Sequence, residues 1–318
     1  MASLKLATIN VLLLTTLIIS ACSSPTNLND VTNLIPGAYQ GLSVGGIGNP
    51  NMTVQLDTVL PNAVEQLIVY QIQAVDENLA ISIAKDCGLM GDLPAPTSNS
   101  GHFFFVDDEQ VLELYSTGRI ELHSQERNYS TPASFPTEKE CISIAKDWLQ
   151  YIGLYPENII RIETKIGSTI AVAKKGSPAT ESFPTSLLVK FITGINGYEI
   201  EISGASVRLG DQAKVMDTHA FQPSLIEYGT VNVRTPAEAL DILKNRLVNP
   251  SFDITTEEQV KYNCFGERLV IHNVSLKYTN IQNSPYLQPI YVFEGEMFSN
   301  HDDIIGESFV GCVDAINH

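Results

Sequence analysis

The chain has 318 residues, which is long enough to bury a substantial core in two domains or in one extended domain. It carries 19 Lys and Arg residues against 36 Asp and Glu residues, which gives a formal net charge of −17. Because each phosphate contact needs a positive donor, this acidity argues against nucleic acid as a partner.

The first 21 residues have the pattern of a secretory signal peptide. Lys5 precedes the almost wholly apolar run Leu6–Ile19, and Ser20 and Ala21 then place small residues before Cys22. The run is short for a transmembrane span and has no basic stop-transfer flank, so a transmembrane anchor is disfavoured. The ending resembles the bacterial lipobox, which implies that Cys22 is diacylated and holds the protein on the extracytoplasmic face of a membrane.

Residues 22–52 are predicted to be a flexible tether between the lipid and the fold. Gly41–Gly45 matches the G-x-S-x-G pattern of a nucleophile elbow, with Ser43 as its nucleophile. That motif needs a buried strand before the serine and a helix after it, whereas a polar tether precedes Ser43 and GIGNPN follows it. A loop is therefore favoured, and an envelope hydrolase using Ser43 stays an alternative.

Three amphipathic helices are predicted along the rest of the chain. The first begins near Asp76 and ends at Gly88. The second covers about 138–152 and begins with the capping box Thr137–Glu140, and the third begins at a cap and first-turn proline, Thr235-Pro236. The hexapeptide ISIAKD occurs in the first and second helices, at 81–86 and 142–147, each time before a Gly-Leu pair. This equivalent context indicates a duplicated unit.

Strand-like runs follow each helix. FFFVDDEQVLELYSTGRIELHSQ, from Phe103, reads as three strands separated by turns, and Asn196-Gly197 between two later runs is a strong hairpin signal. Each helix with its meander predicts one unit, at 53–130, 131–232 and 233–318. The predicted fold class is therefore α+β, with repeated units of one helix packed on an antiparallel β-meander.

The segment VKFITGINGYEIEISGASVRLGDQAKV, from Val189, resembles the PepSY-type repeats of bacterial envelope proteins. TPAEAL at Thr235–Leu240 and LQPIYVFEGE at Leu287–Glu296 are similar to segments of surface lipoproteins and of YycH/YycI-type regulatory proteins. The resemblance covers about residues 55–316. It implies extracytoplasmic binding or regulation without catalytic residues, and because those regulators have a transmembrane helix instead of a lipobox, a kinase partner does not follow.

Four further cysteines allow three disulfide pairings. The candidate pairs are Cys87–Cys141 and Cys264–Cys312, and buried free thiols are the alternative. No pair has the C-x-x-C spacing of a metal or redox site.

Other groups give weaker signals. No two histidines have helical spacing, and the turns at His301–Asp303 and Asp107–Glu109 lack the ligand spacing of a calcium loop, so no metal and no cofactor is expected. Glu294 and Glu296 share one face of a predicted strand and are the acid/base candidates of a hydrolase. The aromatic residues of the third unit fit either an interaction surface or a sheet core. They are Tyr278, Tyr286, Tyr291, Phe293 and Phe298.

The sequence predicts a non-enzymatic, lipid-anchored extracytoplasmic protein with a binding or regulatory role. Its partners are expected to be the membrane, through Cys22, and an envelope protein. The alternatives are a hydrolase using Ser43 or the Glu294/Glu296 pair and a solute-binding lipoprotein.

Overall fold

The computed structural model describes residues 51–89, 101–107, 109–124, 135–172, 181–201, 203–248, 267–280, 285–298 and 307–317. Within these ranges the chain is mostly β-strand, with three α-helices. The helices are α1 (Glu77–Asp86), α2 (Glu138–Tyr151) and α3 (Pro236–Val248). The strands, in chain order, are β1 (Thr53–Leu56), β2 (Gln66–Gln73), β3 (His102–Val106), β4 (Gln110–Tyr115), β5 (Arg119–Ser124), β6 (Ile159–Val172), β7 (Glu181–Ile195), β8 (Tyr198–Glu199), β9 (Gly204–Leu209), β10 (Val215–Phe221), β11 (Ser224–Asn232), β12 (Arg268–Asn280), β13 (Tyr286–Phe298) and β14 (Glu307–Asp314).

The strands form two large sheets. The six-stranded sheet has the order β1-β12-β13-β2-β11, with β14 also paired to β13. The eight-stranded sheet has the order β3-β4-β5-β10-β9-β7-β6, with β8 paired to β7. The pairing of β1 with β12 is parallel, and the other strand pairs of the two sheets are antiparallel.

The predicted fold class, repeated helix-on-meander units, is wrong. Strands from different predicted units pair with one another: β5 pairs with β10, β2 with β11, and β1 with β12. Two large sheets in a β-sandwich-like arrangement result. Local periodicity predicts a strand but not its partner, because side-chain alternation is the same whichever strand lies beside it. The unit boundaries 53–130, 131–232 and 233–318 stay a prediction.

The helix starts agree with their capping signals. In α2 the Thr137 side chain accepts from the Glu140 amide, and the Glu140 carboxylate accepts from the Thr137 amide at 2.8 Å. In α3 the Glu238 carboxylate accepts from the Thr235 amide at 2.7 Å. Each arrangement satisfies backbone donors that have no partner inside the helix.

The two ISIAKD copies occupy equivalent positions in α1 and α2. In both copies the alanine is buried, the two isoleucines are half-buried, and the serine, lysine and aspartate are exposed. Both helices then end at a glycine with positive φ, Gly88 at 85° and Gly153 at 69°, followed by a buried leucine. A residue with positive φ after a helix C-terminus is usually glycine, because glycine has no Cβ to make this conformation unfavourable.

Each sheet has its own core. Helices α1 and α2 pack on the eight-stranded sheet, around residues such as Phe105, Leu149 and Phe191. Helix α3 packs on the six-stranded sheet, around residues such as Leu243 and Tyr291. Apolar burial of this extent is the main term that stabilises such sheets.

A third cluster joins the two sheets. Tyr70 and Tyr278 of the six-stranded sheet pack with Ile200, which follows β8, and with Phe221 of the eight-stranded sheet. The Glu201 amide donates to the Tyr278 carbonyl at 2.7 Å, and the Asn196 side chain donates to the Tyr70 hydroxyl at 2.7 Å. The sheets are therefore held together by apolar contact and by hydrogen bonds.

None of the helices within the described ranges has both the length and the apolar character needed to cross a bilayer.

Candidate functional site

One face of the eight-stranded sheet is polar where β4 and β5 pair. Side chains alternate along a strand, so Leu112 and Leu122 are buried towards the helices while Glu113, Glu121 and His123 lie on the opposite face. Glu113 and Glu121 are direct cross-strand partners. Like charges placed directly opposite each other are destabilising unless something compensates them.

Glu113, Glu121 and His123 form a compact group, here called the Glu–Glu–His cluster. Each contributes one ligand atom, and these atoms all lie within 4.8 Å of one another. Glu121 is buried, with only 9% of its surface exposed. Its Oε2 lies 3.4 Å from His123 Nε2. Two carboxylates and an imidazole are groups that can bind a divalent cation.

The strand β10 supports the histidine from one side. His123 Nδ1 lies 3.0 Å from Asp217 Oδ1, and Asp217 Oδ2 lies 3.4 Å from Arg208 Nη1. The Asp217 carboxylate is therefore held between a guanidinium and the imidazole. When Nδ1 donates its proton to Asp217, the lone pair of the ring is on Nε2, which faces Glu121.

A second side of the cluster is lined by a cation and another imidazole. The Arg119 guanidinium is in ion-pair contact with Glu121 Oε1, although this oxygen accepts no hydrogen bond of regular geometry from the described residues. His219 Nδ1 lies 3.9 Å from the same oxygen. Burial lowers the pKa of His219 more than the Glu121 carboxylate raises it, which favours the neutral imidazole.

A cleft adjoins the cluster and runs between the two sheets, with a volume of about 600 Å³. It is lined by strands of the eight-stranded sheet and by β12 and β13 of the other sheet. Its charged or titratable side chains are Arg119, Arg161, Lys190, His219, Lys277, Glu163, Glu199, Glu201 and Glu294. We call it the inter-sheet cleft.

Lys277 links the two sheets at this cleft. Its Nζ lies 3.1 Å from Glu199 and 3.2 Å from Glu201. Burial alone would lower the pKa of Lys277, but the Glu201 and Glu199 carboxylates outweigh it, and the net shift is upward. Glu199 also pairs with Arg161 at 3.0 Å, so this part of the cleft is compensated internally.

Lys190 is less well compensated. It lies on β7 opposite Glu163 of β6 and near Lys165; burial and the Lys165 charge lower its pKa more than the Glu163 and Glu201 carboxylates raise it. Among the described residues it makes no ion pair with a carboxylate, in contrast to Lys277. Its ammonium group is therefore available to an incoming anion.

A larger cavity of about 640 Å³ lies on the helix side of the same sheet. Trp148 and Tyr151 of α2 line it, and its charged lining residues are Glu109 and Lys214. With so few charges it offers less for recognising a polar ligand than the inter-sheet cleft does.

The structure separates the two acid/base candidates. Glu294 lines the cleft and accepts from the Asn273 side chain at 2.7 Å. Glu296 lies instead 3.9 Å from His272 Nε2, beside Asp57. The two carboxylates thus have different partners and do not line one cleft.

The structure has Cys87 and Cys141 as buried free thiols in one core cluster, and a disulfide between them stays a prediction. Cys312 is also a free thiol. Cys264 lies outside the described residues, and its pairing with Cys312 stays a prediction. Cys22, Ser43 and the turn His301–Asp303 are likewise outside the described residues.

The turn at Asp107 and most of the aromatic candidates have structural roles. Asp107 Oδ1 accepts from the amides of Glu109 and Gln110 at 2.8 and 2.7 Å, which closes the turn between β3 and β4. Of the aromatic candidates, Tyr278, Tyr291 and Phe293 are fully buried. Tyr286 packs against Tyr228, and Phe298 lies under Arg268.

The Glu–Glu–His cluster was not predicted, because histidines paired at helical spacing are the usual signal of a metal site and the sequence has none. The usable signal is a spacing of two, in Glu121-Leu122-His123 and Asp217-Thr218-His219. On a strand, residues two apart share one face. Even so, the register that brings Glu113 and Asp217 beside this motif is visible only in the fold.

No protein-family model matches the chain, and no curated protein matches it. Among solved structures the chain is similar to an uncharacterized protein from Eubacterium rectale, with 9% sequence identity and a TM-score of 0.43. The similarity covers 83% of this chain and 88% of that one. It assigns no activity.

Proposed function

We propose that the protein is a non-enzymatic, lipid-anchored binding protein on the extracytoplasmic face of a bacterial membrane, and that its inter-sheet cleft binds an anionic segment of an envelope protein. The N-terminal sequence supports the anchor, because Cys22 follows an apolar run with a lipobox-like ending. The charges of the cleft support the binding role.

The cleft is less acidic than the chain as a whole. Its lining has four Lys and Arg residues and four Glu residues, whereas the whole chain has 19 Lys and Arg residues and 36 Asp and Glu residues. An anionic group is repelled by most of an acidic surface, so a balanced concavity is where such a group docks most readily.

Lys190 is the observation that carries the proposal. It is a partly buried cation on an inner strand of the sheet. The Glu163 and Glu201 carboxylates act on its charge, but no described carboxylate lies within ion-pair distance of it. A carboxylate from a partner would stabilise the charged ammonium of Lys190, which burial and the Lys165 charge disfavour. Ser206, its direct cross-strand neighbour on β9, lies in the cleft and offers a hydroxyl beside it.

The hydrolase alternative has less support. Glu294 and Glu296 have separate partners, and of these two carboxylates only Glu294 lines the inter-sheet cleft. Retaining and inverting glycosidases need two carboxyl groups on either side of one bond. The alternative of a hydrolase that uses Ser43 is tested with a fluorophosphonate probe. The probe should label the wild-type protein if Ser43 is a nucleophile, and it should fail to label Ser43→Ala.

Photo-cross-linking in intact cells tests the binding role. A photoreactive amino acid replaces Ser206 in the cleft, and a second variant carries it at Ile226, an exposed position of the other sheet. A discrete adduct is expected from position 206 alone. It should disappear when Lys190→Glu is added and persist when Lys85→Glu is added on the exposed side of α1. Absence of the adduct at position 206, or an adduct that Lys190→Glu leaves unchanged, refutes the cleft as the binding site.

The anchor has a separate test. Cys22→Ser should release the protein from membranes or leave an unprocessed precursor. Unchanged membrane association and unchanged mass would refute acylation at Cys22.

A further inference from the structure

The histidine of the Glu–Glu–His cluster has an arrangement that recurs at protein metal sites. A ligating imidazole usually donates its other ring proton to a carboxylate, which fixes the tautomer and aims the lone pair at the metal. His123 Nδ1 lies 3.0 Å from Asp217 Oδ1, and its Nε2 points to Glu121 Oε2 at 3.4 Å. When Nδ1–H donates to Asp217 Oδ1, the ring lone pair is on Nε2, so Nε2 and Oε2 are two electron-pair donors that face each other.

A cation bound between His123 Nε2 and Glu121 Oε2 would remove the repulsion between their lone pairs. Nε2 and Oε2 are already at the separation of two ligands on one tetrahedral ion, which is about 3.3 Å for bond lengths near 2.0–2.1 Å. The third atom, from Glu113, belongs to the same group of atoms within 4.8 Å. Glu113 is partly buried; its Oε2 lies 3.2 Å from His102 Nε2 and accepts from the Tyr115 hydroxyl at 3.3 Å, so metal binding exchanges one of these contacts for the ion.

The burial of Glu121 is an independent observation. Its carboxylate is nearly all removed from water, and Oε1 is in ion-pair contact with the Arg119 guanidinium. A buried carboxylate is costly unless it is paired and hydrogen-bonded. Three carboxylates meet here, those of Glu113, Glu121 and Asp217, against the two guanidinium groups of Arg119 and Arg208.

We propose that Glu113, Glu121 and His123 bind a divalent transition-metal ion, with Asp217 positioning His123 and water completing the coordination. The imidazole favours a transition metal over Ca²⁺ or Mg²⁺, which prefer oxygen ligands only. The strand register supplies preorganisation, because the three ligands come from two neighbouring strands of one sheet. The site borders the inter-sheet cleft through Arg119 and His219, but the inference does not depend on what the cleft binds.

The test is a titration of the full chain with Zn²⁺ in detergent, in the presence of excess Mg²⁺ and Ca²⁺. Isothermal titration calorimetry measures the stoichiometry and the affinity. One Zn²⁺ per chain is expected at this site. His123→Gln and Glu121→Gln should each weaken its binding by about 100-fold or more, since losing even an outer-shell partner typically costs about 10–100-fold. Co²⁺ should give visible absorption bands in the wild type and lose them in His123→Gln.

Matched controls come from the six-stranded sheet. His272 lies 3.5 Å from Asp57 and 3.9 Å from Glu296, which is a similar pairing of an imidazole with carboxylates. His272→Gln and Glu296→Gln should leave the zinc affinity and the cobalt spectrum unchanged. If they weaken zinc binding as much as His123→Gln does, the ion is bound by surface acidity and the proposal is overturned.

Folding of the metal-free variants is checked by circular dichroism and thermal unfolding. Because Glu121 is buried and His123 is partly buried, Glu113→Gln is the deciding variant if the other two fail to fold. Wild-type protein that binds no Zn²⁺ at micromolar concentration, or a folded Glu113→Gln variant that binds like wild type, overturns the proposal.

Discussion

His123 and Asp217 are direct cross-strand partners on β5 and β10, and their side chains meet at 3.0 Å between Nδ1 and Oδ1. The contact orients the imidazole whose other nitrogen faces Glu121. It therefore connects a backbone register to the chemistry of the Glu–Glu–His cluster.

Asp217→Asn should weaken zinc binding by about 10–100-fold while one Zn²⁺ per chain is still bound. The amide can present its NH₂ group to Nδ1, which would move the ring proton to Nε2, where the metal has to bind. Calorimetry with Zn²⁺ measures the affinity. Asp217→Glu, which keeps a carboxylate acceptor, should recover part of the loss, and Asp241→Asn on the exposed face of α3 should have no effect. An Asp217→Asn variant with lower thermal stability but wild-type zinc affinity would assign Asp217 a structural role only.

Gly204 in the wall of the cleft should not tolerate alanine. Its φ is 90°, and an added Cβ would lie 1.8 Å from the Phe191 carbonyl oxygen. Gly88 at the end of α1 has a similar φ of 85°, with nothing within 4 Å of an added Cβ. Gly88→Ala should thus cost only the conformational strain, about 1–2 kcal/mol of unfolding free energy, and Gly204→Ala clearly more. Chemical denaturation of both variants measures the difference, and equal losses would contradict the close approach.

The thiol of Cys87 should be unreactive in the folded protein. Burial, with a smaller contribution from the Asp86 charge, raises the pKa of Cys87 from 9.0 to about 12. At pH 8 only about one thiol in 10,000 is then ionised, by the definition of pKa. Iodoacetamide should label Cys87 rapidly in guanidinium chloride and very slowly in buffer, as read by peptide mass spectrometry. Rapid labelling in the native state would mean that Cys87 is exposed.

The same shift predicts an alkaline loss of stability. Because the folded state keeps Cys87 protonated, its contribution is fully present below pH 9 and is lost as pH rises from 9 towards 12. The slope from this one group is at most about 1.4 kcal/mol per pH unit. Cys87→Ala should make the unfolding free energy fall less steeply over this range, whereas an unchanged slope would contradict the raised pKa.

The indole of Trp148 should contribute a specific hydrogen bond in addition to packing. Nε1 donates to Thr218 Oγ1 at 2.9 Å, and Thr218 is only 1% exposed. Trp148→Phe should cost about 1–3 kcal/mol, because a buried hydroxyl loses its donor. In the background of Thr218→Val the same substitution should cost less. A double-mutant cycle by urea denaturation measures this coupling, and additive losses would rule it out.

Local features of the fold were predictable from local chemistry. The capping residues Thr137 and Glu140 predict where α2 begins, since their side chains satisfy amides within the same turn. Asn196 and Gly197 predict the hairpin between β7 and β8, and both have the positive φ that such a turn requires.

Long-range pairing was not predictable in this way. Nothing in the alternation of β2 specifies β11 as its neighbour, although Leu67 pairs with Val231 and both are buried. The Glu–Glu–His cluster depends on such pairings, because Glu113 reaches Glu121 through the β4–β5 register and Asp217 reaches His123 through the β5–β10 register. The residue types were visible in the sequence, whereas their proximity arises from the register.

An anomalous difference map from crystals grown with Zn²⁺, collected above and below the zinc edge, tests the metal site most directly. A peak about 2 Å from Glu113, Glu121 and His123 is expected, at ordinary zinc–ligand distances. A map with no peak at the cluster, or with peaks only beside exposed groups such as His272, would contradict the assignment of these three residues as metal ligands.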